Sequence, residues 1–216
     1  EGVEIIYGYP GGAIMPVYDE LHKYEDKIHH VLTRHEQGAT HSAQGFARIS
    51  GKVGVAIATS GPGATNLITG IADAQIDSTP MVCITGQVPS HLLGSDAFQE
   101  TDIVGISTPV TKWNHQITRA EEIPEVIAKA FYIAKSGRPG PVLIDITKDA
   151  QFETFDFTYK KCEGVRSYKP VPKVDTSILK SAAQAINDAK NPMIVWGQGV
   201  ILGEAEDEFK AFVEKS

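Results

Sequence analysis

The chain has little cysteine: two among 216 residues, Cys83 inside an apolar run and Cys162 in a polar stretch. Their separation matches no metal or redox spacing, so no disulfide framework is expected and both thiols should be reduced. A basic run is also absent. Lys and Arg total 20 against 27 Asp and Glu, a net charge of −7, and no aromatic-basic interleaving offers a footprint for a phosphate backbone, which argues against nucleic acid. No apolar stretch approaches the roughly 18 to 20 residues of a membrane helix. The opening Glu1-Gly2-Val3-Glu4 resembles neither a signal nor a transit peptide, so the expected compartment is cytoplasmic, with no membrane partner.

Several catalytic spacings are missing too. Gly61-Pro62-Gly63-Ala64 lacks the Lys-Ser/Thr ending of a P-loop, and after Gly197-Gln198-Gly199 the next glycine, Gly203, falls one position late for GxGxxG. Ser60 is not in a GxSxG elbow. His35-Glu36 opens like a zinc-protease HExxH, but Ala39 stands where the second His is required. The seven histidines show no other ligand spacing, and no metal-binding set is assigned.

What is present is an alternation of β-branched runs with helix-period segments. Residues 4–7, 28–33, 53–59, 81–85 and 142–146 read as strands, and 14–22, 36–49, 64–77 and 120–136 as helices. Nearly all-apolar strands need cover on both faces, which predicts an α/β fold with a doubly wound, mostly parallel sheet. The first strand starts almost at residue 1 without a covering helix, as in a chain cut at its front. From 151 to 173 the periodicity fails among Phe152, Phe155, Phe157, Tyr159 and Lys169-Pro170-Val171-Pro172, the composition of a linker. Beyond it, 176–189 reads as a helix, 193–196 as a strand and 204–214 as a helix. The expected organisation is a first domain over 1–150, a linker over 151–173, and the start of a second, unfinished α/β domain over 174–216.

Ligands of a doubly wound sheet bind outside the carboxyl ends of its strands. Those ends are followed here by Gly8 to Gly12, Arg34-His35-Glu36, Ser60-Gly61-Pro62-Gly63 and Gly86-Gln87, which places all four loops on one rim. Glycines there admit close backbone approach, and helices opening near Ala13 and Ala64 would offer free N–H groups. Each loop taken singly is also ordinary turn punctuation. Glu36 stands where a strand ends and a helix begins, among Gly38, Ala39, Ser42 and Ala43, small residues that leave room for a flat ring. A plain structural role is open to it as well: a first-turn Glu favoured by the helix dipole, or one paired with Arg34 or Arg48.

Gly8-Tyr9-Pro10-Gly11-Gly12-Ala13, Arg34-His35-Glu36-Gln37-Gly38-Ala39, TSGPGATNLITG over 59–70, ITGQVP over 84–89 and Asp96-Ala97-Phe98-Gln99-Glu100 occur together in this order. In this the chain resembles the catalytic subunits of the acetolactate synthase family, which depend on thiamine diphosphate, and the likeness runs from Gly8 through Lys148 and more weakly beyond. The resemblance implies that Glu36 hydrogen-bonds a ring nitrogen of the cofactor's aminopyrimidine, exchanging a proton that lets the pyrimidine deprotonate the thiazolium carbon. Burial away from charges would raise the Glu36 pKa and keep that proton available. It further implies that Tyr9, Pro10 and Gly11 line the pyrimidine site. Ala13, Val88, Pro89, Ala97, Phe98 and Lys148 would line the substrate channel, with Phe98 an apolar wall and Gln99 a catalytic amide near the intermediate. Arg138 matches a residue that contacts FAD. Asn191 to Gly199 resembles the opening of the family's FAD-associated domain, although Gln198 stands where another glycine is usual.

The reaction so implied decarboxylates pyruvate and joins the two-carbon unit to a second 2-oxo acid, giving 2-acetolactate or 2-aceto-2-hydroxybutyrate in branched-chain amino-acid biosynthesis. Thiamine diphosphate, Mg²⁺ and FAD are the implied cofactors. The family's diphosphate- and Mg²⁺-binding motif, a GDG with paired Asn downstream, has no match here, so this chain alone should hold half a cofactor site and be inactive. Implied partners are a second copy, in a homodimer or homotetramer, and a separate regulatory subunit. Pyruvate oxidase and 2-oxo acid decarboxylases share the Glu and the sheet and remain alternatives, as does a non-catalytic nucleotide-binding module; glyoxylate carboligase would lack the Glu.

Overall fold

A computed structural model describes all of residues 1–216, which fall into two units, Glu1–Pro170 and Val171–Ser216. The first unit is built on six strands: β1 Ile5–Gly8, β2 His29–Leu32, β3 Gly54–Ala58, β4 Met81–Gln87, β5 Trp113–Ile117 and β6 Pro141–Thr147. They lie in the order β2-β1-β3-β4-β6-β5 and every pairing is parallel. The doubly wound α/β sheet expected from the alternating pattern is therefore present.

The period of two within each strand sorts side chains onto two faces. Val55, Ile57, Val82, Val142, Ile144 and Ile146 join one core, with Ile14, Val126, Ala130 and Phe131 from α1 (Met15–His22), its approach and α6 (Ile123–Lys135). Ala56, Ala58, Met81, Cys83 and Leu143 join the other, with Ala39, Ala43, Leu67, Ile71 and Ala74 from α2 (Glu36–Ser50), α4 (Ile68–Ile76) and the residue between α3 (Pro62–Asn66) and α4. The second face is rich in alanine, and its helices come close. A Cβ at Gly54 would fall on the Ala43 carbonyl, so α2 lies directly on the β3 backbone. At Gly70 a Cβ would meet Thr40, and the Gln44 amide donates to the Gly70 carbonyl at 2.8 Å, which locks α4 onto α2.

Helix α2 has a cap at each end. His35, in an extended conformation, accepts the Gln37 N–H on Nδ1 at 3.1 Å, and Gly51 ends the helix in the left-handed region at φ 70° while donating to the Ala47 carbonyl. The predicted helix over 64–77 is two helices, α3 and α4, with Leu67 between them. β5 had no counterpart in the sequence pattern because Asn114, His115 and Gln116 break the apolar run. At the sheet edge these polar groups find partners: the Asn114 amide donates to the Val104 carbonyl at 2.7 Å and the Gln116 amide to Asp145 at 2.9 Å.

Asp145 lies fully buried at the centre of β6. Thr85, Gln87 and Gln116 donate to its carboxylate at 2.6, 3.1 and 2.9 Å, from β4 and β5 on either side. Burial still wins over these hydrogen bonds and pushes its pKa up to about 6.

The second unit contains α7 (Thr176–Asp188), α8 (Gln198–Leu202) and α9 (Glu206–Lys215). Asp175 caps α7 by accepting the Ser177 N–H at 2.8 Å. The strand expected over 193–196 does not form. No other extended segment in this unit offers a ladder, and a lone strand leaves its backbone groups unpaired; Met193 and Val195 are exposed. Gln198 opens α8 behind Gly197 as its cap.

Two predictions follow from this packing. Gly54→Ala should lower stability by about 1–3 kcal/mol, since the added methyl overlaps backbone that cannot swing away, whereas Gly45→Ala in open space on α2 should raise it by up to about 1 kcal/mol; urea unfolding reads both. The ordinary carboxyl value of 3.8 lies below the folded value of about 6, so protonated Asp145 favours the fold. That contribution is complete below about pH 4 and lost as pH rises through about 6. Asp145→Asn should flatten the stability profile across this window, and an unchanged slope would assign the dependence to other groups.

Candidate functional site

Because all six strands run the same way, the residues after β1, β2, β3, β4 and β6 share one edge of the sheet. The structure joins these exits by direct contacts. Thr59, at the end of β3, is the hub. Its hydroxyl accepts the Ala13 N–H at 3.2 Å, and a Cβ at Gly11 would stand 2.5 Å from its side chain. The Gly86 backbone lies against the Ala13 carbonyl so closely that any Cβ would overlap it, and Gln151, beyond β6, donates to that carbonyl at 2.8 Å. Gly61, at φ 55°, meets the Gln99 backbone, with a Cβ placed 2.6 Å from the Gln99 carbonyl oxygen. Glycine is required there both for the left-handed conformation and for the contact.

Glu36 is the first residue of α2 and is buried, with 7% of its surface exposed. Its Oε2 accepts a hydrogen bond from the Asn66 amide at 3.0 Å. Its Oε1 faces Gly63, where a Cβ would stand 3.3 Å away. Neither Arg34 nor Arg48 pairs with it: Arg48 pairs with Asp77 at 2.5 Å, and the side chain on the Glu36 carboxyl is Asn66. The carboxyl thus meets a neutral donor on one oxygen and a glycine-floored space at the other. Nearby, burial pushes the Tyr18 phenol up and the charge of Glu36 adds to the effect.

Tyr9 and Pro10 are exposed at the β1 exit, Gly11 is half-buried, and Ala13 is buried. Val88 is buried and Pro89 half-buried at the β4 exit. Ala97 and Gln99 are half-buried, while Phe98 projects with 88% exposure. Lys148 directly follows β6. These residues therefore share the rim with Glu36. Arg138 does not: it precedes β6 and so lies at the opposite edge of the parallel sheet. There its guanidinium donates to the Ser78 hydroxyl at 2.8 Å and to the Gln75 and Ile76 carbonyls, closing the end of α4. Helix α1 begins at Met15, one residue later than the expected span over 14–22, and α3 begins at Pro62, two residues earlier than the expected opening at Ala64.

Asn66, Thr59 and Asp149 were not singled out by sequence reasoning. Asn66 and Thr59 lie inside the 59–70 string, but nothing in their spacing shows that one donates to Glu36 and the other ties two loops together. The residues present suit a planar, hydrogen-bonding heterocycle: a buried carboxyl with a free oxygen, beside backbone stripped of side chains at Gly11 and Gly63.

Residues 1–106 match the family model of the thiamine pyrophosphate enzyme, N-terminal TPP binding domain. The acetolactate synthase large subunit of Corynebacterium glutamicum is 53% identical over 211 residues, covering 98% of this chain and 34% of that protein. The large subunit of Lactococcus lactis subsp. lactis is 48% identical over 214 residues, 99% of this chain and 37% of that protein. The probable large subunit of Methanocaldococcus jannaschii is 50% identical over 217 residues, covering 99% and 36%. The chain spans just over a third of the length of these relatives. The glycine-floored carboxyl site lies inside the matched region, and the chain is a homologue of about a third of an acetolactate synthase large subunit, with a thiamine pyrophosphate enzyme N-terminal domain over residues 1–106.

Proposed function

We propose that the protein containing this chain is an acetolactate synthase, which decarboxylates pyruvate and condenses the remaining two-carbon unit with a second 2-oxo acid. The products are 2-acetolactate or 2-aceto-2-hydroxybutyrate, precursors of branched-chain amino acids. The observation that carries the reading is Glu36, a buried carboxyl held by neutral Asn66 and left open beside Gly63. Bound there, thiamine diphosphate supplies the carbon nucleophile that attacks the 2-oxo acid.

Before that attack, Glu36 Oε1 would hold the proton to be exchanged with the aminopyrimidine, while Asn66 holds Oε2 and so fixes the carboxyl plane. Tyr9, Pro10 and Gly11 face the ring. Ala13, Val88, Pro89, Ala97 and Lys148 line the approach of the 2-oxo acid, Phe98 supplies an apolar wall, and Gln99 offers its amide to the reacting carbonyl oxygens. Mg²⁺ enters with the diphosphate, and no ligand for it is assigned from this chain. FAD completes the reading with Arg138 as a contact, through the guanidinium nitrogen that does not cap α4.

Tyr9, Met15, Leu32 and Phe98 are apolar and 44, 53, 64 and 88% exposed, which favours cover by a second copy in a homodimer or homotetramer. The relatives named large subunits support a separate regulatory partner. No helix is long and apolar enough to cross a membrane, and a cytoplasmic location goes with the biosynthetic role.

The test is acetolactate formation from pyruvate by the full-length protein with thiamine diphosphate, Mg²⁺ and FAD. Glu36→Gln should lower the rate by roughly 10² to 10⁴, the usual range for lost acid–base assistance; wild-type turnover in this variant would remove Glu36 from the chemistry. Carbon dioxide release without acetolactate would instead mark a decarboxylase or oxidase. Asn66→Ala, which leaves the proton carrier in place but frees its plane, should cost about tenfold to a hundredfold, matching the loss of one hydrogen bond to a charged group.

A further inference from the structure

The segment joining β4 to α5 (Ile103–Ser107) carries the side chains that would meet the substrate, yet it has almost no regular structure of its own. Asp96 and Gln99 sit in the left-handed region, at φ 55° and 59°. Non-glycine residues hold that conformation only where the surroundings over-determine it. Phe98, between them, is 88% exposed, so packing of its own ring does little to fix its place. Its position is set by the backbone, and the backbone is held by carboxylates.

Glu100 brackets the turn with both oxygens: Oε1 accepts the Gly94 N–H and Oε2 accepts the Ala97 N–H at 3.0 Å. Asp149, just past β6, grips the entry of the same loop. Its Oδ1 accepts the Ser90 N–H at 3.0 Å and its Oδ2 accepts the Ser90 hydroxyl. Backbone hydrogen bonds from Gly94 and Ala97 hold Glu100 below the usual carboxylate range. Burial works against Asp149, but the Ser90 hydrogen bonds outweigh it and hold its pKa at about 2. Both acceptors are therefore charged, and charge-assisted hydrogen bonds are the stronger kind.

We propose that Glu100 and Asp149 are positioning residues that clasp the loop over 88–101 from its two ends and thereby set which second 2-oxo acid is accepted. Neither is assigned a place against substrate; each acts through the backbone that presents Phe98 and Gln99. The inference rests on the acetolactate synthase reading.

The experiment gives the full-length enzyme pyruvate and 2-oxobutyrate together, and measures the ratio of 2-aceto-2-hydroxybutyrate to 2-acetolactate for wild type, Glu100→Gln and Asp149→Asn. A ratio of products is independent of how much enzyme is folded, so mere destabilisation does not move it. Each variant keeps the size of the side chain and replaces one acceptor oxygen by an NH₂ donor. The expected result is a shift of about threefold to tenfold in both variants, below the roughly ten- to two-hundredfold commanded by a whole methylene in a fitted pocket. An active wild type whose ratio persists in both variants overturns the positioning role and leaves the reaction standing. A wild type that makes neither product overturns the reaction and the positioning role together.

Discussion

The site depends on the absence of a side chain between α2 and β3. Gly54 brings the strand against the Ala43 carbonyl, and Ala39, Ala43, Ala56 and Ala58 keep the rest of the seam thin. Helix α2 therefore runs over the β3 exit with its first turn directly above Gly63 and Asn66. A carboxyl at the first helical position is favoured by the unpaired N–H groups of that turn. Here it is also buried by the neighbouring loops, and it keeps one oxygen uncommitted. Thicker side chains in the seam would lift the helix and take Glu36 away from the glycines. The alanine-rich face is thus a condition of the chemistry as much as of the core.

The opposite face of the sheet works differently. Val, Ile and Phe fill it, and α6 packs over them. This asymmetry accounts for the location of the site: one side of the sheet supplies most of the bulky burial, while the other brings backbone to backbone and leaves the strand exits accessible. The rim loops can then be tied by hydrogen bonds to Thr59 and from Gln87 and Gln151 instead of by apolar contacts.

Much of this arrangement was legible in the sequence. Strands β3, β4 and β6 could be read because each is buried on both faces, and Glu36 and the glycine loops because a parallel sheet sends every strand exit to one edge. β5 escaped because an edge strand needs only half an apolar pattern, and the polar residues Asn114 and Gln116 take their partners from distant segments. Residues 193–196 misled for the opposite reason: apolar, β-favouring composition does not make a strand without a neighbour to pair with. Asn66 and Asp149 were invisible because their roles exist only across the fold. Asn66 lies 30 residues from Glu36 and Asp149 lies 59 residues from Ser90.

Arg138 lies far from the other residues that the resemblance singles out. A guanidinium at a helix end has carbonyls to cap, and Arg138 does this for α4. Its place before β6 puts it on the amino edge of a sheet whose carboxyl edge carries Glu36. On the proposed reading the two organic cofactors therefore address opposite edges of the same sheet, and the flavin contact takes no part in the proton exchange at Glu36.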